Sequence, residues 1–348
     1  MKRLFILAAA TVALASCAKT QVVYNEEPQE IAFRQVENVM TKGGAGTSLG
    51  NWKDGSMGVF AYKTGETNSY FTNAKFAKSD TEWVGVDDLG NAKHYYWPFQ
   101  GSLDFYVYAP HDADFTCDRT THKIKKSAFT NSDYGVGNSY SGTADGSTLF
   151  YNYNCPDLMY GSTIITSEKT DQALNVSLKH ALALVQVNAT ATTGSVVKIQ
   201  LMKLTGTPRS ANLAVAYEDK DSNNSTALEG TAGWDNYSGT IDLTIISTEK
   251  SVTNSLEQLG NEVLVIPGNA QTSFSIEYKL ANSETVFTAT LPLNTAGSPT
   301  WEPGKKYVYN ITFGVEEIKF APEVVEWETG GVTAGSNGGV SVATYPQP

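Results

Sequence analysis

Leu103-Asp104-Phe105-Tyr106-Val107-Tyr108-Ala109-Pro110 is the stretch on which the reading of the fold turns. Leu103, Phe105, Val107 and Ala109 alternate with Asp104, Tyr106 and Tyr108, the period of two that sends successive side chains to opposite faces of a strand. The same pattern recurs further along. Phe274, Ile276, Tyr278 and Leu280 alternate with Ser275, Glu277 and Lys279, and Tyr307, Tyr309, Ile311 and Phe313 alternate with Lys306, Val308, Asn310 and Thr312. Val263 to Ile266, stopped by Pro267-Gly268, is a short apolar run of the kind found in core strands. Val176, Leu178, Leu182 and Leu184 share one parity while Val185, Val187 and Ala189 share the other, so a bulge near Leu184 is expected. One segment has helical spacing: Ser247 to Gly260, with Val252, Leu256 and Leu259 inward and Gly260 as its C-cap.

Composition agrees with an all-β chain. Of 348 residues only 18% are charged, against 18 Tyr, 14 Phe and 6 Trp, with 30 Gly and 12 Pro to make turns. Aromatic residues suit a pleated, half-buried surface, and frequent turn residues suit short strands. A hydrophobic content of 41% is enough for a packed core. The net charge of −11 gives no electrostatic footprint for nucleic acid or for an anionic membrane surface. Two stretches, 131–148 and 219–231, read as loops rich in Gly, Ser, Asn and Asp, and no repeat of fixed period is visible.

The N-terminus reads as an address. Lys2 and Arg3 precede an apolar run from Leu4 to Leu14, too short for an ordinary membrane-spanning helix. It ends in Leu14-Ala15-Ser16-Cys17, which looks like a bacterial lipobox. Residues 1–16 are therefore expected to be a lipoprotein signal peptide, with Cys17 carrying the acyl chains (palmitate among them) that hold the protein at the outer membrane. Residues 17–30 then form a polar tether. Of the other cysteines, Cys117 and Cys155 are 38 positions apart in the sequence, with no metal-site spacing, and an envelope location leaves both a disulfide and two free thiols open.

Four segments, in order, carry a family resemblance. They are Ile31-Ala32-Phe33; His94-Tyr95-Tyr96-Trp97-Pro98-Phe99 leading into Leu103–Pro110; Asp157-Leu158-Met159-Tyr160 followed by Leu178-Lys179-His180-Ala181-Leu182-Ala183; and Trp301-Glu302-Pro303-Gly304-Lys305-Lys306-Tyr307 with Ile318–Trp327 after it. Together with the lipobox they resemble the fimbrillin family (FimA/Mfa-like), lipoprotein subunits of Bacteroidetes type V pili. The resemblance implies an all-β chain of two transthyretin-like β-sandwich domains, at residues 31–168 and 169–328, followed by a Gly-rich tail at 329–348. It implies a fimbrial, surface-exposed location and adhesion without enzymatic activity. It also implies assembly with other pilin subunits by donor-strand exchange, in which an N-terminal strand is cut away and a neighbour's C-terminal strand takes its place. Backbone pairing then supplies affinity and alternate side chains supply specificity. Whether the subunit is shaft, anchor or tip is left open.

Lys42, between the first strand and a Gly-rich run, is the candidate cleavage site; Arg34 lies inside the strand. Donor candidates are Ile318, Phe320, Val325 and Trp327 in one segment and Val340 and Val342 in another. Gly46-Thr47-Ser48-Leu49-Gly50 matches G-x-S-x-G, but turn residues surround it where a nucleophile needs a strand and a helix. His94, His111, His122 and His180 show no metal-ligand spacing, and no catalytic, cofactor or metal site is expected. His111-Asp112-Ala113-Asp114 reads as a solvated loop rather than a cation site, and His180 as a core histidine with a satisfied hydrogen bond. The rings of Tyr95, Tyr96, Trp97, Phe99, Tyr106 and Tyr108 read as packing, with an exposed subset able to stack on sugar rings of a host or bacterial ligand.

Overall fold

A computed structural model describes residues 27–35, 56–79, 82–131, 143–144, 147–148, 157–192, 197–219, 228–260, 262–268, 272–280, 283–293, 300–314, 317–326 and 341–344. Among these residues every regular element is a strand. In chain order they begin with β1 (Phe33–Gln35), β2 (Ser56–Lys63), β3 (Ser69–Ser79), β4 (Glu82–Val86), β5 (Leu103–Ala109), β6 (Phe115–Asp118), β7 (Lys123–Thr130) and β8 (Thr143–Ala144). There follow β9 (Ser147–Thr148), β10 (Met159–Gly161), β11 (Ile165–Ser167), β12 (Leu174–Val176), β13 (Leu178–His180), β14 (Ala183–Ala191), β15 (Val197–Glu218) and β16 (Glu229–Ile246). The last are β17 (Lys250–Val252), β18 (Glu257–Gln258), β19 (Val263–Val265), β20 (Ser273–Leu280), β21 (Phe287–Pro292), β22 (Lys305–Phe313), β23 (Glu317–Glu326) and β24 (Ser341–Thr344).

They form three large sheets and one small hairpin, β8–β9. The first runs β12-β1-β4-β3-β2-β5-β10-β13, with β11 also on β5. The second runs β18-β14-β22-β23-β24, with β19 on β14. The third runs β21-β20-β15-β7-β6, with β16 and β17 on β15. The long β15–β16 hairpin joins the two halves. Its Val197–Leu204 end packs with β14 and β22, and its Ala211–Tyr217 end packs with Tyr106 and Tyr108 of β5. Register shifts at Met202/Lys203, Leu204/Thr207 and Ser210/Asn212 bend it between those two surroundings.

The strands expected over 103–109, 274–280 and 306–313 are present, but the first is not one-sided. Leu103, Phe105, Val107 and Ala109 face one cluster, Tyr106 and Tyr108 a second, and Asp104 on that second face is buried too. β14 corrects a further expectation. Its pairing with β22 runs from Leu184 to Ala191 without interruption, so there is no bulge at Leu184. The parity change arises because both faces are covered: Leu182 and Leu184 enter the central cluster while Ala183, Val185 and Val187 enter the C-terminal one. β19 does the same, with Val263 and Val265 on one side and Leu264 on the other.

The helix expected over 247–260 is absent. Val252 pairs with Val197, the Ala191 amide donates to Thr253 O, and the Leu259 amide donates to Val187 O. Val252 and Leu259 are buried as expected, but Leu256 is exposed. Open backbone groups on β14 and β15 offered pairing to a segment whose helical spacing was only three residues deep, and tertiary pairing overrode it. Gly260 does adopt a left-handed φ of 58°.

Candidate functional site

The site with most to offer function is the bed of β1. Its three residues run parallel to β12 (Phe33↔Leu174, Arg34↔Asn175, Gln35↔Val176) and antiparallel to β4 at Phe33↔Trp83. Alternation puts Ile31 and Phe33 inward, both buried, with the rings of Phe76 and Phe105 edge-on to Phe33 at 5.0 and 5.4 Å. Arg34 points out and pairs with Glu82 at 3.1 Å. The Leu174 amide donates to Ala32 O at 2.9 Å. Among the described residues β12 has β1 as its sole strand partner, so β1 is a central member of the sheet with a thin cover on one side. Burying Ile31 and Phe33 contributes about 1.5–3 kcal/mol each. Loss of β1 leaves a slot with backbone groups on both walls and two apolar pockets in its floor, open to any strand with apolar residues at alternate positions.

At the other end of the chain β23 pairs with β22 over nine residue pairs, from Lys305↔Glu326 to Phe313↔Ile318. β24 lies on the outer side of β23 with four pairs, from Glu317↔Thr344 to Phe320↔Ser341. Ile318 is buried in the C-terminal cluster. Phe320 and Val325 are in β23 and Val342 is in β24. Cys17, Lys42, Trp327, Val340, Cys155 and the 46–50 motif lie outside the described residues.

The histidines take structural places. His180 Nδ1 is 3.0 Å from Asp157 Oδ1, both largely buried, which is the satisfied core histidine expected. Asp112 and Asp114 are held by Lys126 Nζ at 2.8 and 3.0 Å, so a lysine sits where a cation would. Among the described residues no three His, Cys, Asp or Glu side chains converge as metal ligands do.

One cluster escaped the sequence reading. Asp104 accepts Arg119 Nη2 at 2.5 Å and the hydroxyls of Thr64 and Thr166 at 2.9 and 2.6 Å. Arg119 Nη1 donates to Tyr106 OH at 3.1 Å, and Tyr106 OH lies 2.6 Å from His122 Nδ1. Burial, with Arg119 second, holds His122 below its ordinary range, and burial pushes Tyr106 up to about 12. The free thiol of Cys117, in β6 beside this cluster, is pushed up to about 12 by burial, which makes it a poor nucleophile. The arrangement clamps the β6–β7 turn onto β5. An aspartate inside an apolar alternation was its only sequence signal, because its partners lie 15 to 62 residues away.

The family model described as fimbrillin-like matches residues 45–327. No curated protein matches the chain in sequence. Among solved structures, a candidate cell adhesion protein from Bacteroides ovatus aligns at a TM-score of 0.50 and 15% identity, over 86% of this chain and 98% of its own. One from Bacteroides uniformis gives 0.49 and 14%, again over 86% and 98%. The tip fimbrial protein Mfa3 from Porphyromonas gingivalis gives 0.41 and 12%, over 85% and 98%.

Proposed function

The chain belongs to the fimbrillin-like family, and from that premise we propose that it is a non-enzymatic cell-surface lipoprotein, a structural or accessory subunit of a pilus assembled by strand exchange. In this reading residues 1–16 are the signal peptide, and Cys17 carries the lipid that holds the chain at the outer membrane. Residues 31–168 and 169–328 are two transthyretin-like β-sandwich units. Two apolar clusters lie towards the ends of that division, one running from Ile31 to Met159 with Val176 and Leu178 added from beyond residue 168, the other from Ala183 to Ile318, and a central cluster draws on both halves. Cleavage after Lys42 releases β1 from the rest of the chain, and a neighbouring subunit's C-terminal strand fills the slot.

The observation that carries the proposal is the place of β1: three residues long, central in its sheet, anchored by two apolar side chains, and followed by the candidate cleavage site. Of the two donor segments, the final one with Val340 and Val342 is the cheaper to give away, since β24 surrenders four residue pairs and β23 nine. A second reading on the same scaffold, binding of a glycan or host ligand, is favoured by the partly exposed rings of Tyr70, Tyr96 and Phe99.

The test is the N-terminus and lipid content of protein extracted from cell surfaces. Cys17→Ser is expected to leave the precursor uncut and unlabelled by a fatty-acid analogue. Polymerised protein is expected to begin just after Lys42 if the subunit forms the shaft, and to begin at acylated Cys17 if it is an anchor or tip. Deleting residues 329–348 is expected to give a folded monomer that does not enter polymers. Labelling that persists in Cys17→Ser overturns the lipoprotein reading, and normal assembly of the deletion variant eliminates the final segment as donor.

A further inference from the structure

The backbone just before β1 is tied to a segment rich in rings. The Ile31 amide donates to Tyr95 O at 2.7 Å, the Trp97 amide donates to Gln29 O at 2.9 Å, and Glu30 bridges antiparallel to Tyr96. His94 Nδ1 lies 2.7 Å from Glu30 Oε1. These contacts hold His94–Trp97 against the first sheet, where the Tyr95 ring lies 4.8 Å from Phe71 and 5.3 Å from Phe76, and Trp97 stands edge-on to Phe105 at 5.7 Å. Trp97 is 7% exposed, yet its buried indole Nε1 has no hydrogen-bond partner among the described residues. A buried donor left unpaired costs about 1–3 kcal/mol. On the outer side Tyr96 and Phe99 are 40% and 69% exposed, and Tyr70 OH donates to Tyr96 O at 2.9 Å. The segment is therefore pulled two ways: ring packing and the ties to 29–31 close it, and the unpaired indole favours water.

We infer that Gln29–Phe33 is a latch on His94–Trp97, so that displacing the first frees the second and brings the Trp97 indole to the surface beside Tyr96, Phe99 and Tyr70. The closed form withholds this aromatic face and the open form presents it. Ile31 and Phe33 fill the same cluster as Tyr95 and Trp97, so their departure removes side-chain support along with the backbone ties. On the strand-exchange proposal the displacing event is loss of β1. The coupling itself rests on the contacts above and is measured on the uncleaved chain, so its failure and the failure of that proposal are separate results.

Native-state hydrogen exchange of the full chain in low denaturant tests it, read at the Ile31 amide, the Trp97 indole Nε1–H and the Val107 amide of β5. The expected result is one opening free energy, with one denaturant dependence, for Ile31 and the Trp97 indole, both lower than for Val107. An indole that exchanges only with Val107, or at a free energy different from Ile31, overturns the latch. Ile31→Pro, which removes the amide donated to Tyr95, is expected to raise acrylamide quenching of Trp97 several-fold, read as the difference from the same chain carrying Trp97→Phe. Quenching that stays unchanged while Ile31→Pro retains Val107 protection also overturns it.

Discussion

Among the described residues two strand pairs are parallel, and they are built to different ends. β14 and β22 run together for eight residue pairs, Leu184–Ala191 with Lys306–Phe313, flanked by β18 and β19 on one side and by β23 on the other. β1 and β12 run together for three, and among the described residues no strand pairs with β12 on its other side. Both close long stretches of chain, which costs entropy before any contact is gained. The first recovers that cost with a buried apolar face along its length and an uninterrupted ladder. The second relies on Ile31, Phe33 and a few backbone bonds. From this difference β1 is expected to open without unfolding the rest of the molecule, and β22 only with it.

Truncating equivalent rings is expected to separate the two strand pairs most. Tyr309 in β22 is fully buried and its hydroxyl accepts Trp301 Nε1 at 3.0 Å. Tyr309→Ala is expected to cost about 3–5 kcal/mol, seen as a lower urea midpoint for the whole chain. Asp104→Ala on β5 is expected to cost about 3 kcal/mol, because it leaves Arg119 largely buried without its carboxylate; circular dichroism during urea unfolding reads it. Phe33→Ala removes a comparably buried ring, about 3–5 kcal/mol where a site stays closed, but its effect on global stability is expected to be smaller because local opening of β1 limits it. Most of that loss belongs in faster exchange of the β1 and β12 amides, with little change in the global midpoint. A midpoint lowered as far as by Tyr309→Ala would show that β1 is as integral as β22, and the distinction between the two pairs would fall.

The one-sided strands were legible from their alternation, as at 274–280 and 306–313, because a two-residue period needs no knowledge of partners. Strands buried on both faces were harder. At β5, β14 and β19 apolar residues of both parities are a sign of two cores, and a single sequence does not say what covers the second face. β15 was missed altogether: Val197 and Ile199 start an alternation that the bulges at Met202 and Thr207 then break. The first strand was visible through Ile31-Ala32-Phe33, but not that it sits between β12 and β4. The Asp104–Arg119–His122 cluster and the ties from 29–31 to 95–97 are contacts between residues far apart in the chain, for which no local pattern exists.

Acid is expected to weaken the half that holds β1 first, by less than the truncations do. His111 and His122 both lie beside β5, in the half that holds β1. Burial keeps His111 below its ordinary value of 6.5, and burial with Arg119 does the same for His122. As the pH falls through about 6.5 the unfolded chain takes up protons that the folded chain refuses, so stability present above that pH is lost progressively below it. Between pH 7.5 and 5.5 the urea midpoint is expected to drop, with most Asp and Glu side chains still ionised and adding little. His111→Asn with His122→Asn is expected to flatten that dependence; asparagine tolerates the left-handed φ of 50° that His122 adopts. Exchange at the same pH values should accelerate first in β5, β6 and β7, next to the two histidines, while the β14–β22 ladder keeps its protection until the whole chain unfolds. A midpoint equally pH-dependent in the double variant would assign the acid response to other groups, and early loss of protection along β14–β22 would place the weak half of the molecule on the other side.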